Sequence, residues 1–252
     1  MQKSNNTPLV TIITVVYNGE KYLEQTINSV INQSYKNIEY LIIDGGSTDG
    51  TLDIVKQYEN KISSWISEQD NGLYDAMNKG IKKAKGELIG MINSDDWYEL
   101  DAVETMVNAY LEHPKKTIFH ADRYDVEEDG SKEIRAFHAS AFKLKYYGMT
   151  YNHPSMFITS NEYAKHLYNI ELRSMSDFQF VLEAYLRDKE KFFYIGKAIV
   201  NYRLDGISSQ LSLLDSLTEG VIVRKLSGMN SIENLFSLLL RFTITIASKL
   251  RK

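Results

Sequence analysis

The 252-residue chain has no cysteine, which excludes thiol chemistry, thiolate-bound zinc and disulfides together. It has three prolines and no low-complexity segment or internal repeat, so no linker announces itself. Positive charge is not in excess: 29 Lys and Arg stand against 33 Asp and Glu, a formal net charge of -4. No Lys/Arg block alternates with aromatics, and a nucleic-acid polymer partner is not expected. Long apolar runs are missing too. The N-terminal "LVTIITVVY" is too short to span a membrane and no small-residue cleavage pattern follows it, so a cytoplasmic protein is expected. Hydrophobic residues at 43% and charged residues at 25% suit a folded soluble chain, and its length suits one domain with at most a small appendage.

What is present has a rhythm. "LVTIITVVY", "IEYLIID", "KISSWIS" and "ELIGMI" read as strands, the β-branched runs being of the kind that burial on both faces requires. Between them lie helical patterns: Leu23, Ile27, Val30 and Ile31 share one face, "TLDIVKQY" forms a short helix, and Leu73, Met77, Ile81 and Ala84 share another face, with Gly86 placed as a helix C-terminal glycine. Val103, Met106, Val107, Tyr110 and Leu111 mark a further helix. Strands alternating with helices predict an α/β fold with a mostly parallel central sheet and right-handed crossovers. In such sheets ligands lie beyond the carboxyl ends of the strands, and those ends carry "VVYN", "IDGGSTD", "SEQDNG" and "NSDD".

Known phosphate cradles do not fit. "DGGSTDG" has neither the dinucleotide nor the P-loop glycine spacing. The five histidines, His113, His120, His138, His153 and His166, have no zinc-ligand spacing. Carboxylates at a sheet edge without a basic cradle suit a nucleotide diphosphate bound through a divalent cation, and Asp95 with Asp96 has that character. The plainer alternative is an exposed turn in which an Asp caps the next helix. Asp49 reads as a cap for the helix beginning near Thr51.

Taken in order, "TIITVVYNGEKYLEQTINSVINQSYKNIEYLIIDGGSTDGT" and "SEQDNGLYDAMNKGIKKAKGELIGMINSDDW" resemble the family 2 glycosyltransferases, inverting nucleotide-sugar-dependent enzymes of the GT-A fold. The likeness runs from about Pro8 to Trp97. It is nearest to the bacterial branch that builds surface polysaccharides such as O-antigen, capsule and colanic acid. The resemblance implies that Tyr17 lies against the base, Asp44 near the base or ribose, Asp95 on the ribose or metal, and Asp96 on the metal, Mn2+ or Mg2+. Asp70, Asn71 and Asn78 fall in the segment lining the donor site, with UDP as the implied nucleotide. Two departures stand out: Gly45 and Asn93 occupy positions where many members carry an acid. Tyr17 as an aromatic cap on the sheet edge, and Asn78 as a partner of backbone groups, are the structural alternatives.

Signals thin out in the second half. After an acidic hairpin-like segment around "VEEDGSKE", "RSMSDFQFVLEAYLRD" places Phe178, Val181, Leu182 and Tyr185 on one helical face with Asp177 at its entry. An acid there can cap the helix; the resemblance implies instead a general base. His153 in "NHPSMF" and Arg203 in "YRLDGISSQ" are candidates for the acceptor or the diphosphate. "IENLFSLLLRFTITIASKLRK" is apolar but interrupted by Arg241 and ends on Lys249, Arg251 and Lys252. It suits a helix lying on the inner face of a membrane or packing on the domain. The expected organisation is a nucleotide-sugar-binding half over 1–112, an acceptor-binding half of the same GT-A domain over 113–210, and a helical C-terminal extension over 211–252. The implied acceptor is a polyprenyl-diphosphate-linked glycan. A nucleotidyltransferase and an inactive binding module are the competing readings. The first would need a basic glycine-rich N-terminal loop, which "VVYNGEKYL" is not, and acids at both the metal and base positions oppose the second.

Overall fold

The computed structural model describes residues 7–204 and 213–250. Every residue of β1 (Val10–Val16) is buried, because the strand is covered on both faces. Ile13 and Val15 pack with Met77 and Ile81 of α3 (Leu73–Lys83), whereas Ile12 and Val16 pack with Leu23 and Ile27 of α1 (Leu23–Ile31). The continuous apolar run is the sequence mark of that double burial.

β2 (Ile38–Asp44), β3 (Ser64–Ser67) and β4 (Leu88–Asn93) join β1 in the parallel order β3-β2-β1-β4. The register aligns their carboxyl ends: Val16 pairs with Asp44, Asp44 with Ser67, and Val15 with Asn93. α2 (Thr51–Gln57) and α4 (Ala102–Glu112) complete this half.

The parallel pattern changes beyond β4. β8 (Met156–Thr159) runs antiparallel to β4 and to β6 (Ile118–Val126), and β9 (Phe192–Arg203) runs parallel to β6. β5 (Trp97–Tyr98) pairs antiparallel with β9, and β7 (Lys132–Arg135) forms the expected acidic hairpin with β6. α5 (Ser160–Tyr163) and α6 (Ser176–Asp188) follow in this half. The nine strands among the described residues form one sheet.

Two local expectations change. Leu73 is exposed while Tyr74 takes the inner face of α3, since the helix starts after Gly72, at φ 104°, with a phase that the apolar spacing misjudges. Gly86 is not a helix terminus, because α3 ends at Lys83. It is a close-approach position: its N–H donates to Thr11 Oγ1 at 2.9 Å, and a Cβ there would overlap the Thr11 backbone.

α7 (Leu213–Leu226) and α8 (Ser231–Leu250) follow. Arg224, buried on α7, donates from Nε to Lys145 O at 2.6 Å and from Nη1 to Gly220 O at 2.8 Å. α8 packs on a π-helical turn over Lys143–Tyr147 with its polar side inward: Asn234 and Ser237 are buried, Ser237 Oγ donates to Tyr146 O at 2.7 Å, and Arg241 Nη2 donates to Ser216 Oγ at 2.9 Å. Ile232, Leu235, Leu239 and Phe242 are exposed on the opposite side, while Phe236, also partly exposed, packs its ring against Tyr146 at 5.2 Å between centroids. The side chain of Lys249, the residues Arg251 and Lys252, and the part of "YRLDGISSQ" beyond Leu204 lie outside what is described. Among the described residues no helix is long and apolar enough to cross a membrane.

Candidate active site

A cleft of about 1670 Å³ runs along the aligned carboxyl ends of the parallel strands and on toward α6 and α8. All four polar strand ends reach it, through Tyr17 to Gly19, Gly45, Gln69 with Asp70, and Asn93 to Asp95. From the other side come His153, Arg173, Asp177 and Leu240.

The loops after β1 and β2 are tied to each other. Asn18, in the left-handed region at φ 50°, donates its N–H to Ser47 Oγ at 2.8 Å, and its Oδ1 accepts from Thr48 N–H at 2.9 Å. Asp49 accepts from Thr51 N–H at 3.0 Å and from Glu20 N–H at 3.2 Å, so it fastens the start of α2, as the sequence implies, and also the β1 loop. Tyr17 is left 58% exposed on the cleft rim. Asp44 is buried and does not line the cleft: its carboxylate accepts from Gly46 N–H, Ser47 N–H and Oγ, and Ser67 Oγ, holding the glycine-rich loop in place. Asp70 lines the cleft and accepts from Gly72 N–H at 2.9 Å. A Cβ on Gly45 would overlap Asp70 Oδ2, which is a physical reason for glycine here. Asn71 is exposed outside the cleft lining, its N–H donating to Asp75 Oδ2 at 3.0 Å. Asn78 is buried behind the lining and clamps Tyr168, donating to its O at 2.8 Å and accepting from its N–H at 2.9 Å.

The adjacent acids divide. Asp95 lines the cleft, whereas Asp96 is 1% exposed and points inward. Asp96 Oδ1 accepts from Arg203 N–H at 3.1 Å and Oδ2 from Asn93 Nδ2 at 3.2 Å. Burial, then the charge of Asp95, push the Asp96 carboxyl well above the usual carboxylate range against the pull of those two hydrogen bonds and of Arg123. A cation beside the pair would offset that cost. Each Asp96 oxygen keeps a lone pair, but among the described residues no three His, Cys, Asp or Glu side chains gather as a metal site. The residues therefore fit a cation shared with a bound diphosphate and water, and not one enclosed by protein alone. Arg203 does not line the cleft. Its guanidinium lies 4.1 Å from the Tyr22 ring centroid and 4.6 Å from that of Trp97, and its Nε donates to Asp95 O at 2.9 Å, so it holds the turn that carries both acids.

On the far side Asp177, second residue of α6, lines the cleft with Oδ1 accepting from Tyr74 Oη at 2.9 Å. His153 also lines it, with Nε2 2.9 Å from Tyr168 Oη. Burial pushes its imidazole down and the Asp177 charge opposes the shift. The sequence reading missed Tyr74 and the cleft-lining cations Arg123, Arg135, Lys143 and Arg173. Only "DAMN", one residue beyond Tyr74, marked that region.

Residues 11–168 match Glycosyl transferase family 2, and the chain belongs to that family. TuaG of Bacillus subtilis, named for a glycosyltransferase of teichuronic acid biosynthesis, is 34% identical over 140 residues, 54% of this chain and 55% of that protein. Chondroitin synthase of Pasteurella multocida is 29% identical over 213 residues, 83% of this chain and 22% of that protein. The chain thus spans about half or less of the length of the curated relatives it matches. Among solved structures, S. aureus TarS 1-349 in complex with UDP-GlcNAc gives a TM-score of 0.69 at 19% identity over 92% of this chain and 71% of that one. The mannosyltransferase PcManGT of Pyrobaculum calidifontis, in complex with GDP-Man and Mn2+, gives 0.65 at 13% identity over 93% and 69%. The fold is the GT-A fold, with a C-terminal helical extension.

Proposed function

We propose that this chain is an inverting glycosyltransferase that moves a sugar from a nucleotide diphosphate sugar to a hydroxyl of a glycan acceptor in bacterial surface-polysaccharide synthesis. The observation that carries the reading is one cleft lined by Asp95 at the end of β4 and by Asp177 at the start of α6. Complexes of TarS with UDP and UDP-GlcNAc support a UDP-linked donor. Tyr17 and Asp70 would flank the nucleotide, while Asp44 and Asn78 would shape the site from behind.

Asp177 takes the proton of the acceptor hydroxyl as that oxygen bonds to the anomeric carbon from the face opposite the diphosphate. The anomeric C–O bond to the diphosphate breaks, the nucleoside diphosphate carries away the electron pair, and configuration inverts. One base suffices, since no glycosyl-enzyme forms. Asp95 and Asp96 would hold Mn2+ or Mg2+, which supplies positive charge opposite the departing diphosphate. Arg203 keeps the turn bearing both acids in place, and His153 lies beside the base on the acceptor side.

The acceptor fitting the far end is a polyprenyl-diphosphate-linked glycan: Arg135, Lys143 and Arg173 stand there beside Phe142, Tyr147, Leu240 and Ile244. The outward apolar side of α8 would lie on the membrane surface that holds such a lipid.

The test is a panel of UDP-, GDP- and dTDP-sugars with Mn2+ or Mg2+, with and without lipid-linked acceptors, read as nucleoside diphosphate release. Metal-dependent release is expected, with Asp177→Asn keeping donor binding and losing about 10²- to 10⁴-fold in transfer. Full transfer by Asp177→Asn rejects the base assignment. Pyrophosphate release from a nucleoside triphosphate would favour a nucleotidyltransferase instead.

A further inference from the structure

We infer that Tyr74 is a positioning residue that orients the Asp177 carboxylate, so that helix α3 links the donor side of the cleft to the base; this rests on reading Asp177 as the general base. Tyr74 follows directly on the bend at Asp70 and Gly72, which lines the donor side, and crosses the cleft floor to the acceptor side. Its ring is 4% exposed and packs against Tyr168 at 5.6 Å between centroids, and its Oη donates to Asp177 Oδ1 at 2.9 Å. Burial, then the charge of Asp177, raise the phenol above its ordinary value, so the hydroxyl keeps its proton and stays a donor to the carboxylate. Asp177 Oδ2 has no hydrogen-bond partner among the described residues. One oxygen is held and the other is left for an acceptor hydroxyl.

A carboxylate on a free χ2 torsion samples a broad range of orientations, and only part of that range directs an oxygen at the attacking hydroxyl. A hydrogen bond from a buried phenol narrows that range. The strut behind it is stiff. One turn further along α3, Asn78 clamps the Tyr168 backbone in both directions, and the Tyr168 hydroxyl meets His153 Nε2 at 2.9 Å and Tyr163 Oη at 3.1 Å. A single helix, packed on β1 and β2, therefore reaches Asp177 directly and His153 through Tyr168.

Tyr74→Phe keeps the ring and its packing and removes only the hydroxyl, so a thermal melt near that of the parent is expected. Diphosphate release is measured with the purified full chain, Mn2+ and whichever sugar nucleotide of the panel turns over fastest. The expected result is a fall in kcat of about 10- to 100-fold with a donor KM within about twofold. In an Asp177→Asn background the same substitution should change the residual rate little, because both act on one step. A parent-like kcat in Tyr74→Phe overturns the inference, as does an equal loss in both backgrounds. Failure of the parent to release diphosphate from any donor, or full transfer by Asp177→Asn, overturns instead the reading beneath it.

Discussion

His120 provides a direct test of how the acceptor half is held together. It lies on β6 inside a cage of rings, with centroids 4.5 Å from Phe137, 4.6 Å from Tyr151 and 5.3 Å from Tyr194. Its Nδ1 is buried without a partner among the described residues, and burial pushes the imidazole down to about 3. The fold therefore holds a neutral imidazole, while the unfolded chain protonates near the ordinary value of 6.5. Stability from this group is complete above about pH 6.5 and is lost as pH falls toward 3. At pH 5 the unfolded histidine lies about 1.5 units below its titration and the folded one has not begun to protonate. At about 1.4 kcal/mol per unit, the loss between pH 7 and pH 5 is about 2 kcal/mol, or roughly 4–8 °C in Tm for a chain of this size. His120→Phe keeps a ring in the cage and removes the titration. Urea unfolding, followed by tryptophan fluorescence at pH 7 and pH 5, compares the two. The partly buried histidines, His153 and His166, contribute equally to both proteins and cancel. The parent should lose about 2 kcal/mol more than the variant; equal losses would refute the reasoning, whatever the offset that the larger ring introduces.

Asp96→Asn should leave the chain folded without metal, since one acceptor oxygen survives and a buried charge disappears, yet it should abolish the metal response. In the parent, Mn2+ with UDP at about 100 times its Kd should add about 2.7 kcal/mol, read as a rise in Tm of roughly 5–10 °C; an equal rise in the variant would remove Asp96 from the metal site. Gly86→Ala should cost about 1–3 kcal/mol in urea unfolding, because its Cβ meets the Thr11 and Leu9 backbone and not a movable side-chain end; a neutral outcome would show that the β1 and β4 ends can separate. Replacing Ile232 and Leu239 together with Gln should reduce flotation with anionic vesicles by at least about tenfold. Undiminished flotation would show that the outward side of α8 is not the contact.

The parallel half of the fold was legible because its signals are local. Double burial writes β-branched runs into β1 and β2, and strand order then fixes which loops share an edge, so the segments carrying Tyr17, Asp70 and Asp95 were legible as neighbours, while the family resemblance singled out Tyr17 and Asp70 within them. Helix phase was less secure: the spacing counted Leu73 inward and passed over Tyr74, because the phase of α3 depends on the bend at Gly72 and on partners about a hundred residues away. The antiparallel entry of β8 and the return of β9 left no periodic mark. Arg203 looked like a ligand residue because arginine suits diphosphate, but its role depends on Tyr22, Trp97 and Asp95, three neighbours that only the tertiary fold brings to it.

The same contrast explains why two neighbouring acids do not behave alike. In the turn after β4, Asn93, Ser94 and Asp95 all reach the cleft, whereas Asp96, the next residue, is buried in the protein. A buried carboxylate survives there because β9 brings the Arg203 N–H to one oxygen and Asn93 donates to the other. An acid at position 93 would replace that donor by a third negative charge. Asn93 therefore does more than shorten an acidic motif: it keeps the negative charge of the turn lower, and it would leave a cation held there to be completed by the diphosphate of the donor. Such a site would bind metal weakly by itself and strongly with nucleotide, which ties metal occupancy to the presence of substrate.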